Sequence, residues 1–453
     1  MRFFRLTVLA VIVLAIVGAG AGWYLAGREA GPSITIQSPD KFIGRAGTLA
    51  VVAEAATPVT EVSATLEQNG QATVLASYAN DGTAQNQVTL SAALGKSAQP
   101  ALVSGPATLT VTASRTVFFG LRTADSTVTR DLEVRLDPPR IAVTSIHHFI
   151  NLGGAEFVVL RATPDDVEAG IRVGDTEYRA YPGAAVGIPD SAVRVAFFAL
   201  KHDQDVNTPM AAFARDVAGN EATTPLDHQP TNKRFLQSRI PIDQRFLDRV
   251  VPAIASNTPD LKVDTGSPEG LLKGFLTING DLRKKNGETI TALAAKSQPK
   301  MLWTEAFAQM GNSQVESRFA DRRTYFFGDE EIDRQVHLGF DLASVQRAPV
   351  HASNAGVVVF ADYLGIYGNC VIVDHGLGVQ SLYAHLSTIG TAVGETVTKG
   401  QELGRTGATG LAGGDHLHFT ILLQGVPVNP VEWWDQHWLD DRVNRKIKDA
   451  GGR

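Results

Sequence analysis

The chain opens with a long apolar run that predicts a membrane-spanning helix. Residues 6–27 contain no charged side chain, and this length matches the roughly 20 residues that a helix needs to cross a bilayer. Arg2 and Arg5 precede the run, so the positive-inside rule predicts a cytoplasmic tail over residues 1–5 and places the rest of the chain across the membrane. A cleaved signal peptide is the alternative, because residues 19–21 are Ala-Gly-Ala and resemble a cleavage site. The apolar run continues well past that site, which favours an uncleaved signal anchor.

Beyond this run, apolar and small polar residues alternate, a pattern typical of half-buried β-strands. The alternation is clear over residues 59–66 and 109–113, and turn-forming residues separate such segments. Together these segments predict a β-sandwich module over residues 33–137. Pro138 and Pro139 then interrupt the pattern.

A second alternating set predicts another sandwich module, over residues 138–227. It begins near residues 141–144 and ends in the turn Asp-Val-Ala-Gly-Asn at 216–220, which resembles the last strands of bacterial extracellular immunoglobulin-like modules. His147 and His148 lie in this module. As neighbours on a strand they point to opposite faces, so we interpret them as structural residues and not as a ligand pair.

The remainder of the chain divides into a helical and a β region. Apolar residues recur at helical spacing over 241–251 and 271–276, which predicts a helical connector over residues 228–300. Short alternating strands separated by glycines then predict an antiparallel β domain over residues 301–440. The charged residues 441–453 predict a surface helix or frayed tail. The predicted fold class is therefore mainly β, with one N-terminal transmembrane helix, two sandwich modules and a helical connector before the last β domain.

The composition is that of a multidomain globular protein. The chain has 453 residues, of which 44% are hydrophobic and 19% charged, enough for about three domains with their own cores. A net charge of -6 gives no indication of nucleic-acid binding. The single cysteine, Cys370, cannot form an intramolecular disulfide, and the apolar residues around it predict a buried side chain.

Four histidines and one aspartate lie in three short segments of the last β domain. His416 and His418 are two apart on a predicted strand, so their imidazoles leave the same face. His337 and Asp341 also share a face, but a straight strand would separate them by about 13 Å. The chain must bend between them, and Gly339 stands at the right place for that bend. Histidine and carboxylate ligands suit Zn²⁺, and three protein ligands would leave a fourth position open, as in catalytic zinc sites.

Six motifs within residues 301–434 together resemble the catalytic domain of the lysostaphin and LytM-type zinc metallopeptidases, which cleave peptide bonds in bacterial cell-wall peptidoglycan. They occur in the order and at the spacing of that family. The motifs are His-x-Gly-x-Asp at 337–341, Gly-Asn-x-Val-x-x-Asp-His-Gly at 368–376, Tyr-Ala-His-Leu at 383–386, Val-Gly-x-x-Val-x-x-Gly-Gln at 393–401, His-Leu-His-Phe at 416–419 and Pro-Val-Asn-Pro at 427–430.

This resemblance implies a role for each of the five residues. His337, Asp341 and His418 would bind Zn²⁺, while His385 and His416 would be the catalytic histidines beside the metal-bound water. It also implies a compact antiparallel β fold with a groove across the site. Which catalytic histidine is the base and which the acid stays open.

The chain departs from the family pattern at a few positions. Asp415 stands where the family usually has Pro, Thr420 stands where it has Glu, and residues 317–322 differ from the Ser-x-Phe-Gly-x-Arg segment that begins the domain. None of these changes removes a ligand or a catalytic histidine, so they leave open the groove shape and the substrate preference. Some family members have lost ligands and activate other hydrolases. A catalytically silent, membrane-anchored scaffold or activator is therefore the alternative to an enzyme, and the intact set of five residues favours the enzyme.

The sequence thus predicts a single-pass protein of the cell membrane whose bulk is periplasmic or otherwise extracytoplasmic. The predicted partners are peptidoglycan and, through the N-terminal helix, the cytoplasmic membrane. Nucleic acid is not expected, and the oligomeric state stays open. Occlusion of the groove by the connector or a module is compatible with the enzyme.

Overall fold

A computed structural model describes residues 2–452, which form two compact units. The first unit extends to Pro139 and includes Arg215–Ala222, and the second comprises Arg140–Ala214 and the chain from Thr223 onward. Strands dominate both units. The predicted mainly β fold class is confirmed.

The N-terminal apolar run is helical, as predicted. Helix α1 spans Arg2–Ala26, and its segment Leu6–Ala26 has a mean hydropathy of 2.3. The helix is long and apolar enough to cross a membrane, a property that signal sequences near the N-terminus share. At its C-terminal end, Arg122 donates a hydrogen bond to the Trp23 carbonyl at 2.8 Å, which satisfies one of the last helical acceptors.

The first unit contains a β-sandwich. Its strands are β1 Ser33–Ser38, β2 Phe42–Ile43, β3 Gly47–Glu54, β4 Val59–Gln68, β5 Gln71–Ala79, β6 Gln87–Leu94, β7 Gly105–Val117 and β8 Arg122–Val134. They form two sheets, ordered β1-β3-β6 and β2-β8-β7-β4-β5. Alternate residues such as Leu49 and Val51 on β3, and Leu109 and Val111 on β7, are fully buried in a shared core. The period-two pattern of the sequence is therefore the pattern of burial.

Short strands continue through the second predicted module and into the connector. They are β9 Arg140–Val143, β10 Phe149–Asn151, β11 Ala155–Thr163, β12 Glu168–Val173, β13 Thr176–Arg179, β14 Tyr181–Pro182, β15 Val193–Ala199, β16 Met210–Arg215, β17 Glu221–Pro225, β18 Gln229–Thr231 and β19 Gln237–Ile242. Strand β15 is buried along its whole length instead of on alternate residues. Its second face is covered from the last domain, where Trp303 and Trp433 pack on Phe197 with ring centroids 6.2 and 5.3 Å away.

The helical part of the connector begins later than residue 228. Strand β18 pairs with β10, and β19 pairs in parallel with β21 of the last domain, so the chain is extended up to Ile242. The helices that follow are α2 Gln244–Ser256, α3 Pro268–Thr277 and α4 Arg283–Ala294, and a π-helical turn at Ile278–Leu282 joins the last two. Asp243 and Ser267 cap the first two of these helices by accepting backbone hydrogen bonds.

The last domain is built on a large antiparallel sheet, as predicted. Its strands are β20 Gln314–Ser317, β21 Asp321–Phe327, β22 Glu330–His337, β23 Phe340–Ala343, β24 Pro349–His351, β25 Gly356–Tyr363, β26 Asn369–Asp374, β27 Val379–Leu386, β28 Thr388–Ile389, β29 Thr396–Val397, β30 Glu402–Arg405, β31 Leu417–Leu423 and β32 Val426–Val428. The main sheet has the order β20-β23-β31-β27-β26-β25-β29, with β32 paired to β31. Cys370 is fully buried on β26, where burial raises the pKa of its thiol, and the predicted buried role of this cysteine is confirmed.

The charged C-terminal segment is docked and not frayed. Helices α5 Pro430–Trp434 and α6 Gln436–Leu439 precede it, and it continues through a π-helical turn at Asp440–Asn444 into α7 Arg445–Asp449. On α7, the buried Lys446 ammonium donates to a Glu156 carboxylate oxygen at 2.9 Å and to the Phe157 carbonyl at 2.8 Å. The Glu156 side chain, on β11, is fully buried. A buried ion pair therefore joins the second predicted module to the C-terminal helix.

Removing one partner of this ion pair should destabilise the second unit strongly. We expect Lys446→Met to lower the free energy of unfolding by about 3–5 kcal/mol, because Glu156 is left buried without its counter-charge. Lys448→Met, an exposed change two residues further on, is the matched control and should have little effect. In urea unfolding of the detergent-solubilised chain, the double variant Glu156→Gln with Lys446→Met should lose less stability than Lys446→Met alone. An equal loss in both would contradict a specific role for the pair.

Candidate metal centre

The first and last histidine motifs meet where the end of β22 approaches the paired strands β23 and β31. His337 is the last residue of β22, Asp341 lies on β23, and His418 lies on β31 directly opposite Asp341 in the antiparallel register. His337 Nε2 lies 2.9 Å from Asp341 Oδ1, and His418 Nδ1 lies 3.0 Å from each of those two atoms. All three side chains are buried. The structure thus brings together the three predicted metal ligands.

Gly339 permits this convergence, and the reason is steric. A Cβ atom at this position would lie 2.6 Å from two atoms of the His418 imidazole and 2.6 Å from Thr420 Oγ1. Any larger residue would therefore push His418 away from His337. The predicted importance of Gly339 comes from this close approach of side chains to its backbone.

Hydrogen bonds on the outer side of the His337 and His418 rings determine which ring nitrogen of each carries the hydrogen and which has the lone pair. His337 Nδ1 lies 3.1 Å from the Arg318 carbonyl, which can only accept, so Nδ1 carries the hydrogen and Nε2 has the lone pair. Thr420 donates its hydroxyl hydrogen to the Leu338 carbonyl at 3.0 Å. Its oxygen, 3.0 Å from His418 Nε2, therefore accepts from that nitrogen, and the His418 lone pair is on Nδ1.

The three inward atoms consequently form a set of electron-pair donors suited to a cation. Two imidazole lone pairs and one carboxylate oxygen face one another at 2.9–3.0 Å, a mutually repulsive arrangement that a positive ion would stabilise. With zinc–nitrogen bonds of about 2.0–2.1 Å, a regular tetrahedron separates its corners by roughly 3.3 Å. The observed spacing is within a few tenths of an ångström of that value, so the residues fit a metal ion. Within residues 2–452, no other group of three histidine, cysteine or acidic side chains is arranged in this way.

Arg323 and Ser317 hold the ligands from behind. Arg323 donates to Asp341 Oδ2 at 2.9 Å and to Ser317 Oγ at 2.8 Å, and Ser317 Oγ is 3.1 Å from His337 Nδ1. The Asp341 carboxylate thus has one oxygen on the arginine and one toward the histidines. Arg323 belongs to none of the motifs recognised in the sequence. Only the alternation along β21, which exposes Arg322 and turns Arg323 inward, could have indicated that it faces the site.

An irregularity in β27 brings His385 into the site. Between Tyr383 and Leu386 this strand has one more residue than the facing part of β26, which makes a β-bulge. His385 has a φ of +62°, a left-handed backbone that residues with a Cβ seldom adopt. A regular strand would place it on the same face as Tyr383, whose hydroxyl bonds to Ser353 in the interior. The bulge turns the His385 ring to within 5.7 Å of the His418 ring, measured between centroids.

His416 faces His385 across the same site. It directly precedes β31, its Nε2 lies 3.4 Å from Asp341 Oδ1, and its ring centroid is 4.9 Å from that of His385. Its Nδ1 bonds to the Gly414 carbonyl at 2.9 Å, and His385 Nδ1 bonds to the Thr409 carbonyl at 2.8 Å. In both histidines the Nε2 atom therefore keeps its lone pair for the site.

Burial and neighbouring charges shift the pKa values of these groups. Burial opposes ionisation of Asp341, but the adjacent histidines, His337 first, hold its pKa well below the usual range. Burial lowers the pKa of His418 to about 4, and burial together with the neighbouring His416 and His418 lowers the pKa of His385 well below its usual value. Burial opposes protonation of His416, but the nearby Asp341 carboxylate outweighs this effect and raises the pKa of His416.

The five residues line one cavity of about 230 Å³. Its other walls come from the last domain and from the segment before it, so the predicted connector contributes to the site. The further lining residues are Ile240, Arg283, Arg323, Tyr325, Ile366, Tyr367, Leu411 and Gly413. Of these, Arg283 begins helix α4 and Ile240 lies on β19, in a segment for which the sequence indicated no chemistry.

Other histidines of the last domain lie outside the cavity. His375 is fully buried between the Ala355 carbonyl and Ser381 Oγ, and burial lowers its pKa to about 4. His351 and His437 are exposed.

Known proteins resemble this part of the chain. Residues 335–430 match Peptidase family M23. This region is an M23 peptidase domain. It contains all five candidate residues, and the recognition of a lysostaphin and LytM-type domain from the sequence is confirmed.

Relatives of the M23 domain include named cell-wall enzymes. The DD-carboxypeptidase/endopeptidase Mpg of Neisseria meningitidis serogroup B is 45% identical over 97 residues, which are 21% of this chain and 22% of that protein. The peptidoglycan DD-endopeptidase ShyA of Vibrio cholerae is 29% identical over 163 residues, 36% of this chain and 34% of the relative. The catalytic domain of lysostaphin from Staphylococcus simulans aligns with 27% identity and a TM-score of 0.24, over 27% of this chain and 92% of that domain. The chain thus matches about a fifth of the length of Mpg and a third of the length of ShyA.

Thr420 should matter for metal binding although it replaces the glutamate usual in the family. We expect Thr420→Val to weaken zinc binding about 10- to 100-fold, because the His418 Nε2 hydrogen loses its acceptor and the ring loses its fixed orientation. Thr420→Ser keeps the hydroxyl and should bind zinc like the unchanged protein. Competition with a chelator measures the affinity, and equal affinities for the valine and serine variants would contradict this role.

Proposed function

We propose that the protein is a zinc-dependent endopeptidase that hydrolyses peptide bonds in bacterial peptidoglycan, in a stem peptide or a cross-bridge, during cell-wall remodelling. The observation that carries the proposal is the convergence of His337 Nε2, Asp341 Oδ1 and His418 Nδ1 at about 3 Å, with two more histidines in the same cavity. The M23 domain and its endopeptidase relatives support the same reaction class.

In this proposal His337, Asp341 and His418 hold the zinc ion. Bound in such a site, zinc acts as a Lewis acid that polarises a carbonyl group and lowers the pKa of water. Arg323, Ser317 and Thr420 keep the ligands oriented through the bonds described above.

His385 and His416 carry the protons of the reaction. Hydrolysis adds water to the carbonyl carbon, breaks the carbon–nitrogen bond and leaves a proton on the departing amine. One histidine accepts a proton from water at Nε2, and the other donates one to the amine or stabilises the developing oxyanion. Both Nε2 atoms are available because backbone carbonyls engage both Nδ1 atoms. Either assignment of the two roles satisfies this geometry.

The proposed location follows from helix α1 and the substrate. As an uncleaved anchor, α1 would hold the protein in the cytoplasmic membrane with the peptidase domain on the extracytoplasmic side, where peptidoglycan lies. In sequence order, the β-sandwich of residues 33–137 lies between α1 and the M23 domain.

Two substitutions separate metal binding from proton transfer. We expect His337→Ala to lose both zinc and hydrolysis, because one of three ligands is removed. His416→Ala should keep its zinc and lose about 10²- to 10⁴-fold in rate, since a proton carrier is missing. His351→Ala, an exposed histidine outside the cavity, is the control. Zinc content and peptide release from purified cell walls are the measurements.

The same experiment decides between the enzyme and a silent scaffold. If the unchanged protein holds no zinc and releases no peptides, the enzyme proposal fails and the scaffold or activator is favoured. Undiminished hydrolysis by His337→Ala would also overturn it.

A further inference from the structure

Arg283 places a positive charge in the metal cavity from outside the M23 domain. It is the first residue of α4 and lines the 230 Å³ cavity together with the five candidate residues. Its side chain is half-buried. The proposed reaction does not use this arginine.

The guanidinium group is fixed in position along one edge. Arg283 Nε donates to the Asn279 carbonyl at 3.1 Å, and Nη2 donates to Asn279 Oδ1 at 2.5 Å. Asn279 is fully buried and donates in turn to Asp333 Oδ2 at 2.6 Å. Arg283 is therefore already ordered without any ligand, which reduces the entropy cost of binding one.

Arg283 has no acidic partner among the described residues, since no carboxylate of residues 2–452 lies within ion-pair distance of it. Its partner Asn279 bonds to the Asp333 carboxylate, whose oxygens also accept hydrogen bonds from Gln335 and the Arg334 backbone. Arg323, the other arginine in the cavity, is paired with Asp341 at 2.9 Å. Arg283 thus supplies the cavity with a charge that the chain itself does not neutralise.

We propose that Arg283 binds a carboxylate of the substrate beside the scissile bond. Its Nε–Nη2 edge is occupied by Asn279, and the Nη1–Nη2 edge keeps two hydrogens for the paired contact that a carboxylate makes with arginine. The cavity is small, so a carboxylate held there belongs to a residue next to the bond being cleaved.

The inference rests on the proposed function and defines its substrate class. In this substrate class, the residue on the amine side of the scissile bond carries a carboxyl group on the carbon bonded to the scissile nitrogen. Arg283 selects peptides in which this carboxyl group is free and discriminates against those in which it is a carboxamide, because a carboxamide is neutral and presents an N–H donor to the guanidinium.

The test compares two synthetic cross-linked peptides that differ only in this group, one with the free carboxylate and one with the carboxamide. The zinc-loaded full chain should hydrolyse the free acid with a kcat/KM about 10- to 100-fold higher, the range expected for a hydrogen bond to a charged group. Arg283→Gln should lose this preference by becoming slower on the free acid only. Arg283→Lys should keep part of it. Lys284→Gln, the same change of charge at the exposed neighbouring residue, is the matched control and should behave like the unchanged protein.

Binding of the same peptides gives a readout that does not depend on turnover. Calorimetry in the His416→Ala background should show tighter binding of the free acid, and this difference should vanish on adding Arg283→Gln. A protein that discriminates in binding but hydrolyses neither peptide would overturn the proposed function and keep the carboxylate site. Equal binding and equal hydrolysis of both peptides, or a loss through Arg283→Gln that is the same for both, would overturn the carboxylate site and keep the peptidase.

Discussion

The carboxylate of Asp341 is the point on which the rest of the site depends. One oxygen faces three histidines, His337 from the end of β22 and His416 and His418 from the start of β31, and the other is held by Arg323. A charge so deeply buried is tolerable only with compensating partners around it. The antiparallel pairing of β23 with β31 provides them, since it sets Asp341 directly opposite His418. Any slip in that register would separate the two residues and dismantle the site.

Much of the site could be predicted because its residues lie on regular strands or follow motifs. Period-two spacing placed His416 and His418 on one side of a strand, and the bend at Gly339 brought His337 close to Asp341. Local pattern could not show how His385 reaches the cavity, because its direction depends on a bulge and a left-handed backbone. The outer partners were hidden for another reason: half of them are backbone carbonyls, which leave no trace in the amino-acid sequence.

The fold, like the site, could be predicted from the sequence only in part. Alternation predicted the sandwich of residues 33–137, where one face of each strand meets one core. It could not predict that β15 is buried on both faces, because the cover comes from Trp303 and Trp433, far along the chain. Glu156 and Lys446 are likewise far apart in the sequence. Contacts of this kind place most of the second predicted module, Arg140–Ala214, in the same unit as the M23 domain. The charged sequence of the tail does not predict them.

The burial of Cys370 has a consequence for the chemistry of the whole chain. It is the sole cysteine, and it lies in the interior of the main sheet with its thiol kept protonated. An extracytoplasmic compartment exposes proteins to oxidants and to disulfide exchange with other chains. This protein would offer such reactions no accessible thiol, and its histidine and carboxylate centre would likewise keep its ligands when thiols are oxidised. The thiol–disulfide balance of its surroundings would therefore leave the molecule unchanged.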